Sequence, residues 1–257
     1  MLNGKVAVIS GTAMGIGRGV ALGLAARSVD VVGLDIDAPG NDETAAQVRA
    51  LGSRALALTC DVGDAAQVLR AIEAALRTFG RIDILINNAA VWLDCGLTTG
   101  SYESQTTAFA RSLDVCALGS FHCTKASVPA MIEGGGGNII NIVTEHIKAG
   151  RYITALPQTG YDCAKFAQWR LTEAWAAELK PHRIRVNALC TGAVDTPMLR
   201  GVSAQVAERG MKVEDIAAAV INVLAHGPEG PTGQSYAFGF TGASRAASLR
   251  EIAALAP

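Results

Sequence analysis

Two residues of this chain have the types and the spacing for acid–base work on an oxygen atom. Tyr161 and Lys165 close the stretch Tyr161-Asp162-Cys163-Ala164-Lys165, which on a helix puts them on one face about a turn apart. A free phenol has a pKa near ~10 and exchanges protons poorly at neutral pH. An ammonium group beside it stabilises the phenolate and lowers that value. A solvated helix face often carries the same pair, so a ligand site elsewhere in the chain must give it meaning.

Such a site is legible near the start. Lys5-Val6-Ala7-Val8-Ile9-Ser10 is a short apolar run suited to a buried parallel strand. Gly11-Thr12-Ala13-Met14-Gly15-Ile16-Gly17 follows, and then a helical stretch from about Arg18 to Arg27. Strand, glycine-rich turn and helix, in that order, bring backbone N–H groups and the positive end of a helix dipole to a pyrophosphate. A second strand, Asp30 to Leu34, ends at Asp35. An acid there, 24 residues after Gly11, accepts hydrogen bonds from an adenosine ribose and repels a 2′-phosphate. Thr12, Ala13, Met14 and Ile36 add no cation to meet such a phosphate. Dinucleotide binding is expected, with NAD(H) preferred over NADP(H).

The rest of the chain alternates between strand and helix. Further strands are expected at Ala55–Thr59, Ile82–Ile86, Asn138–Val143, Arg183–Leu189 and Ser235–Phe238, mostly unbroken apolar runs of the kind that helices cover on both faces. Helices are expected near Glu43–Leu51, Asp64–Phe79, Thr106–Ile132, Tyr161–Leu179 and Val213–Leu224. Asp64, with Gln67 three residues on, suits an N-cap, and Pro181 helps end the helix carrying the tyrosine. The pattern predicts one α/β domain over residues 1–257. It is a Rossmann-type doubly wound parallel sheet of about seven strands, with helices on both faces and ligands at the carboxyl ends of the strands.

Composition agrees. A chain of 257 residues, 50% of them hydrophobic, can bury a sizeable core. The net charge of −1 gives no reason to expect nucleic acid or an anionic membrane as partner. No apolar run reaches the ~18 residues of a membrane span, and the first strand begins too early to leave room for a leader peptide. Cys60, Cys95, Cys116, Cys123, Cys163 and Cys190 lack C-x-x-C spacing and read as reduced, small hydrophobes of a cytoplasmic protein. No His/Cys/Asp cluster has metal-ligand spacing.

The glycine spacing of Gly11, Gly15 and Gly17, the stretch Asn87-Asn88-Ala89-Ala90 and the Tyr161/Lys165 pair together resemble the short-chain dehydrogenases/reductases. Asp61-Val62, Arg185-Val186-Asn187-Ala188, Gly192 and Thr196 add to the likeness, which covers essentially the whole chain. The resemblance implies an oxidoreductase that interconverts a secondary alcohol and a ketone by hydride transfer. Tyr161 is then the acid/base. Lys165 lowers its pKa and grips the nicotinamide ribose, and oxidised nicotinamide, itself cationic, helps. Thr144, where the family usually has serine, orients the substrate oxygen. The glycine turn with Met14 and Ile16 lies along the cofactor. Asp61 and Val62 are implied at the adenine, Asn88 near a ribose, and Val194 and Thr196 beside the carboxamide. A homotetramer is implied, with a dimer next.

Three departures from the family pattern stand out. Cys116 occupies the position of an asparagine that generally helps hold a water linking the lysine to solvent, and a thiol replaces an amide poorly. Thr191 stands where a proline commonly precedes Gly192. Thr144 and Tyr161 are a few positions farther apart than usual. The first departure keeps a second class open, an NAD-binding sensor or scaffold with lost or slow chemistry. On the substrate side only Pro197 to Lys212 separate Thr196 from the next helix. The stretch Glu145–Gly160 can bring His146, Lys148, Arg151, Tyr152 or Gln158 to the pocket, or can be a solvated loop.

Overall fold

The apolar runs become strands β1 (Val6–Ser10), β2 (Asp30–Asp35), β3 (Ala55–Thr59), β4 (Ile84–Asn87), β5 (Gly137–Thr144), β6 (Ile184–Thr191) and β7 (Ser235–Phe238). They form one parallel sheet in the order β3-β2-β1-β4-β5-β6-β7, in a computed structural model that describes residues 2–147, 158–239 and 244–257. The order reverses between β1 and β4, the switch point at which such sheets open a crevice.

Alternation along β1 shows how the sheet is covered. Ala7 and Ile9 face helices α1 (Gly15–Ala25), α2 (Ala38–Ala50) and α9 (Val213–Ala225). Val6 and Val8 face α3 (Ala65–Phe79), α5 (Gly119–Glu133) and α6 (Thr159–Leu179). Both faces are dry, so the strands read as continuous Val/Ile/Leu runs. At Gly19 a Cβ would stand 2.8 Å from Val213 Cβ, so this glycine lets α1 lie against α9. The expected Asp64 cap is present: its carboxylate accepts from the N–H groups of Ala66 and Gln67 at 2.9 and 3.1 Å.

The structure corrects several sequence expectations. The single helix over Thr106–Ile132 is two helices, α4 (Tyr102–Leu113) and α5, joined by a π-helical turn at Asp114–Leu118. Its start is set by Ser101 and Ser104, which exchange backbone-to-hydroxyl hydrogen bonds of 3.1 Å each. Helix α2 begins at Ala38, ahead of Glu43, because Asp37 caps it and Pro39 sits in its first turn, where proline is tolerated. Strand β4 runs two residues later than expected at its start. Pro197 to Lys212 hold two short helices, α7 (Pro197–Val202) and α8 (Ala204–Arg209), and α10 (Arg245–Ala253) closes the chain. Among the described residues no helix is long and apolar enough to cross a membrane.

Candidate active site

A cleft of about 340 Å³ crosses the carboxyl ends of the strands. Gly11 follows β1, Asp35 ends β2, Asn88 follows β4 and Tyr161 and Lys165 rise from α6. A second cavity of about 230 Å³ adjoins it and shares Ile16, Tyr161, Thr191, Thr196 and Met198. Among the residues singled out from sequence, Gly11, Met14, Gly15, Ile16, Asp35, Asp61, Val62, Asn88, Tyr161, Lys165 and Thr196 line the cleft. Thr144 and Val194 line the adjoining cavity. Gly17 lines neither, and its place is behind the turn.

The turn is held by close approach. Gly11 takes a φ of +74°, in the left-handed region, and a Cβ there would come within 2.9 Å of Ala89 Cα and of Asn88 Nδ2. At Gly17 a Cβ would run into the Gly11 carbonyl oxygen. Asn88 is the clasp. Its side-chain amide donates to the carbonyls of Ser10 at 2.9 Å and Gly11 at 3.0 Å, so it shapes the turn as well as lining the cleft. Helices α2, α3 and α4 each have a side chain accepting from their first-turn N–H groups, whereas α1 has none at Met14 and no acid in its first turn. That leaves a helix N-terminus beside the cleft with the donors an anionic phosphate group accepts.

At the far end Asp35 is fastened by its neighbours, with Oδ2 accepting from Ala13 N at 2.7 Å and Oδ1 from Asp37 N at 3.0 Å. Each oxygen keeps a second lone pair. Asp37 also lines this end. Arg18 is committed to the Ala13 and Gly40 carbonyls and to Glu43 at 2.9 Å. Asp61 accepts from Gly63 N and pairs with Arg111, both at 2.9 Å, while Gln67 accepts from Asp61 N at 3.0 Å. These contacts hold a carboxylate-lined wall in one geometry. Arg111 was not among the residues singled out from sequence. It comes from α4, remote in the chain, with no local signal.

At the near end Tyr161 and Thr144 share a hydrogen bond. Burial pushes the Tyr161 phenol well above its ordinary value. Cys116 and Asp162 add to this and the Thr144 hydrogen bond opposes it. Lys165 is displaced downward, chiefly by burial, with Cys116 and Cys190 opposing. The expected lowering of the phenol by the lysine is therefore not the net direction in the chain alone. Lys165 Nζ lies 5.9 Å from the Tyr161 ring centre, and it donates to Ile142 O at 2.7 Å and to Gln168 Oε1 at 2.8 Å.

Two further groups meet here. Trp92 lies against Tyr161 with ring centres 4.8 Å apart and forms a wall of the second cavity. His146 Nδ1 donates to Asp162 Oδ1 at 2.7 Å and its ring meets Tyr161 edge-on at 6.4 Å. His146 and Gln158 both line this cavity, whereas Lys148, Arg151 and Tyr152 lie outside the described residues. Thr191, in the usual proline position, continues β6 between Thr144 and Phe238, a ladder site at which proline would lack its N–H.

Residues 5–207 match the family model described as short chain dehydrogenase. The chain belongs to the short-chain dehydrogenase family. It is 36% identical over 219 residues to the short chain dehydrogenase/reductase AstE of Aspergillus oryzae, covering 84% of this chain and 80% of that one. Among solved structures it superposes on levodione reductase with a TM-score of 0.81 at 25% identity, covering 92% of this chain and 96% of that one. On an NAD+-bound xylitol dehydrogenase the TM-score is 0.79 at 26% identity, over 93% and 98%. Like its family, the chain is an oxidoreductase of the dehydrogenase/reductase kind, and the family uses nicotinamide cofactors.

Proposed function

We infer that the chain is an NAD(H)-dependent dehydrogenase/reductase that interconverts a secondary alcohol and a ketone, as a single dinucleotide-binding and catalytic unit over residues 1–257. The observation that carries this is convergence. The Tyr161 phenol, the Thr144 hydroxyl and the Lys165 ammonium meet where the glycine-turn cleft opens into the second cavity.

The first-turn N–H groups of α1 hold the pyrophosphate, Asp35 holds the adenosine ribose, and Asp61 and Val62 flank the adenine. Asn88, Thr196 and Val194 sit toward the nicotinamide end. Asp35 and Asp37 give that ribose pocket two acids, and Arg18 is turned to other partners, which supports NAD(H) over NADP(H). When bound, the nicotinamide supplies the hydride acceptor or donor. Thr144 holds the substrate oxygen against Tyr161. In oxidation the Tyr161 phenolate takes the hydroxyl proton, and in reduction the phenol returns it to the oxygen. Lys165 stabilises the phenolate through its charge. Trp92 walls the substrate end with an aromatic face, and the His146–Asp162 pair offers it a polar edge.

Cys116 favours the second reading, a slow sensor or scaffold, because no amide stands at that position. Free, largely buried cysteines support a cytoplasmic location. Phe121, Phe166 and Leu118 on the outer side of α5, α6 and the π turn stay over 40% exposed, which supports a homotetramer, or else a dimer.

The test is NAD+ reduction and NADH oxidation across a panel of secondary alcohols and ketones, with Tyr161→Phe beside the wild type and NADPH as the competing cofactor. Turnover with NAD(H) that the mutant loses supports the reading. Tight NADH binding without turnover of any compound selects the sensor instead.

A further inference from the structure

We propose that Gln168 is the positioning residue for Lys165, its amide supplying in this chain the polar partner that position 116 lacks. The inference rests on the dehydrogenase reading above and deepens it.

Gln168 follows Lys165 by three residues on α6, so the two side chains share a face. It has no exposed surface, and Lys165 keeps only 2% of its own. Its amide is fully engaged at both ends. Oε1 accepts from Lys165 Nζ at 2.8 Å, and Nε2 donates to Ser120 Oγ at 2.8 Å and to Asn87 O at 3.2 Å. The partners fix the orientation of the amide. An ammonium can only donate and a main-chain carbonyl can only accept, so the amide fits one way round. Ser120 Oγ in turn donates to the carbonyl of Cys116 at 2.7 Å. A continuous hydrogen-bonded chain thus runs from Lys165 through Gln168 and Ser120 to the main chain of position 116. The π turn presents that carbonyl, and the thiol of Cys116 itself lies fully buried beside the site.

The chemistry follows from what each group does to a buried cation. Desolvation drives Lys165 toward its neutral form, and a neutral amine gives no charge to hold a phenolate. Two acceptors oppose that drive, Ile142 O and Gln168 Oε1. The Ile142 carbonyl belongs to the sheet and cannot vary with sequence; Gln168 can. With two of the ammonium's three N–H groups so fixed, its remaining donor is constrained to the cleft side, where Lys165 lines the wall. The other titratable groups around the pair are Tyr161 and Asp162 from α6, Cys116 from the π turn, Cys190 from β6 and His146 beyond β5. The side-chain acceptor that Lys165 Nζ meets at 2.8 Å is the Gln168 amide, so a neutral group does the work that a carboxylate does beside many buried cations.

The test reads Lys165 directly. With six lysines in the chain, 13Cε-lysine NMR resolves its titration, assigned by the signal lost in Lys165→Met. Gln168→Leu removes the acceptor at similar volume, and Gln168→Met guards against a folding failure of the first. In either variant the Lys165 titration is expected to move down by about one pH unit, as loss of a hydrogen bond to a charged group implies. With any alcohol that the wild type oxidises, kcat should fall about tenfold and its acid limb should move up, while the NADH dissociation constant stays within about threefold. Recovery of kcat in Cys116→Asn/Gln168→Leu would confirm that the two amides are interchangeable. An unchanged Lys165 titration in both variants overturns the proposal, and so does an upward one, which would mean that Gln168 draws the lysine away from Tyr161. If no substrate turns over in the wild type, the dehydrogenase reading fails while the NMR result still decides the role of Gln168.

Discussion

The two ends of the cleft are built by different means. At the adenosine end the geometry is set largely by main chain: a left-handed Gly11, a Gly17 with no room for a methyl, and carboxylates that accept from backbone N–H groups, Asp35 from Ala13 and Asp37 and Asp61 from Gly63. At the reacting end the geometry is set by side chains from distant elements. Trp92 lies on Tyr161, His146 on Asp162, and Gln168 ties Lys165 to Ser120 and Asn87. Main-chain constraints demand particular residue types at fixed spacing. Side-chain networks have many solutions, so each relative can reach the same outcome with different residues. The first kind of site is legible from residue type and spacing, and the second only from the fold.

The largest expected effect probes the reacting end. Tyr161→Phe removes one oxygen and leaves the ring against Trp92, so NADH affinity should change little while kcat/KM falls by about 10²–10⁴. Stopped-flow kinetics alongside NADH fluorescence titration checks this. A parallel loss of cofactor binding would show that the two ends are not separable. The next effect probes the other end. In Gly17→Ala the methyl meets the Gly11 carbonyl, a clash worth about 1–3 kcal/mol, and NADH affinity should drop about tenfold or more. Gly52→Ala is the control, because its φ of +91° brings strain with no atom nearby. If both variants lose stability but neither loses NADH, the turn does not hold the cofactor.

These contrasts also explain how far the sequence could be read. Five-residue β3 and four-residue β7 were legible to their ends, as was the Asp64 cap, because burial period and capping chemistry are local. The glycine turn was legible because glycine is nearly the only residue that fits it. The break between α4 and α5 was not. Asp114–Leu118 holds no Gly or Pro to mark a break, and the π turn forms where Gly119 packs on Val62, a contact across the fold. Gln168 was unreadable for the same reason. On α6 it is one more polar residue, and only the tertiary fold places Lys165, Ser120 and Asn87 around its amide. Tyr161 and Lys165 were found by spacing, but the direction of the tyrosine's shift depends on how deeply the site buries it.

A smaller effect sharpens the adenosine end. Asp35→Asn keeps an acceptor for Ala13 N and removes the charge, so the preference for NADH over NADPH should fall at least about tenfold, mainly through better NADPH binding. Fluorescence titration with both cofactors at fixed ionic strength measures it. An unchanged ratio would place the acid away from the ribose and leave Asp37 as the discriminating group.

The smallest effect asks whether the two halves differ in stability as they differ in construction. Each is pinned by a mostly buried carboxylate. Asp83 accepts from Val6 N at 3.0 Å and from Lys5 and Arg81, joining β4 to β1. Asp215 accepts from Lys212 N and, bidentately, from Arg245, all at 2.8 Å, joining α9 to α10. Burial raises Asp83, yet the hydrogen bonds from Arg81, Lys5 and Val6 leave it net below the usual range. Arg245 holds Asp215 there against a smaller effect of burial. A carboxyl lowered on folding contributes stability that is complete above its unfolded value near ~4 and is lost as pH falls through the folded one. Asp83→Asn and Asp215→Asn should each cost about 1 kcal/mol at pH 7, or about 2–4 °C in Tm, since their cationic partners are half exposed. Scanning calorimetry should show both gaps narrowing below about pH 4. Equal gaps would mean that the β1–β4 and α9–α10 junctions are equally anchored, so that the contrast between the two ends of the cleft lies in how their own groups are held and not in a softer scaffold.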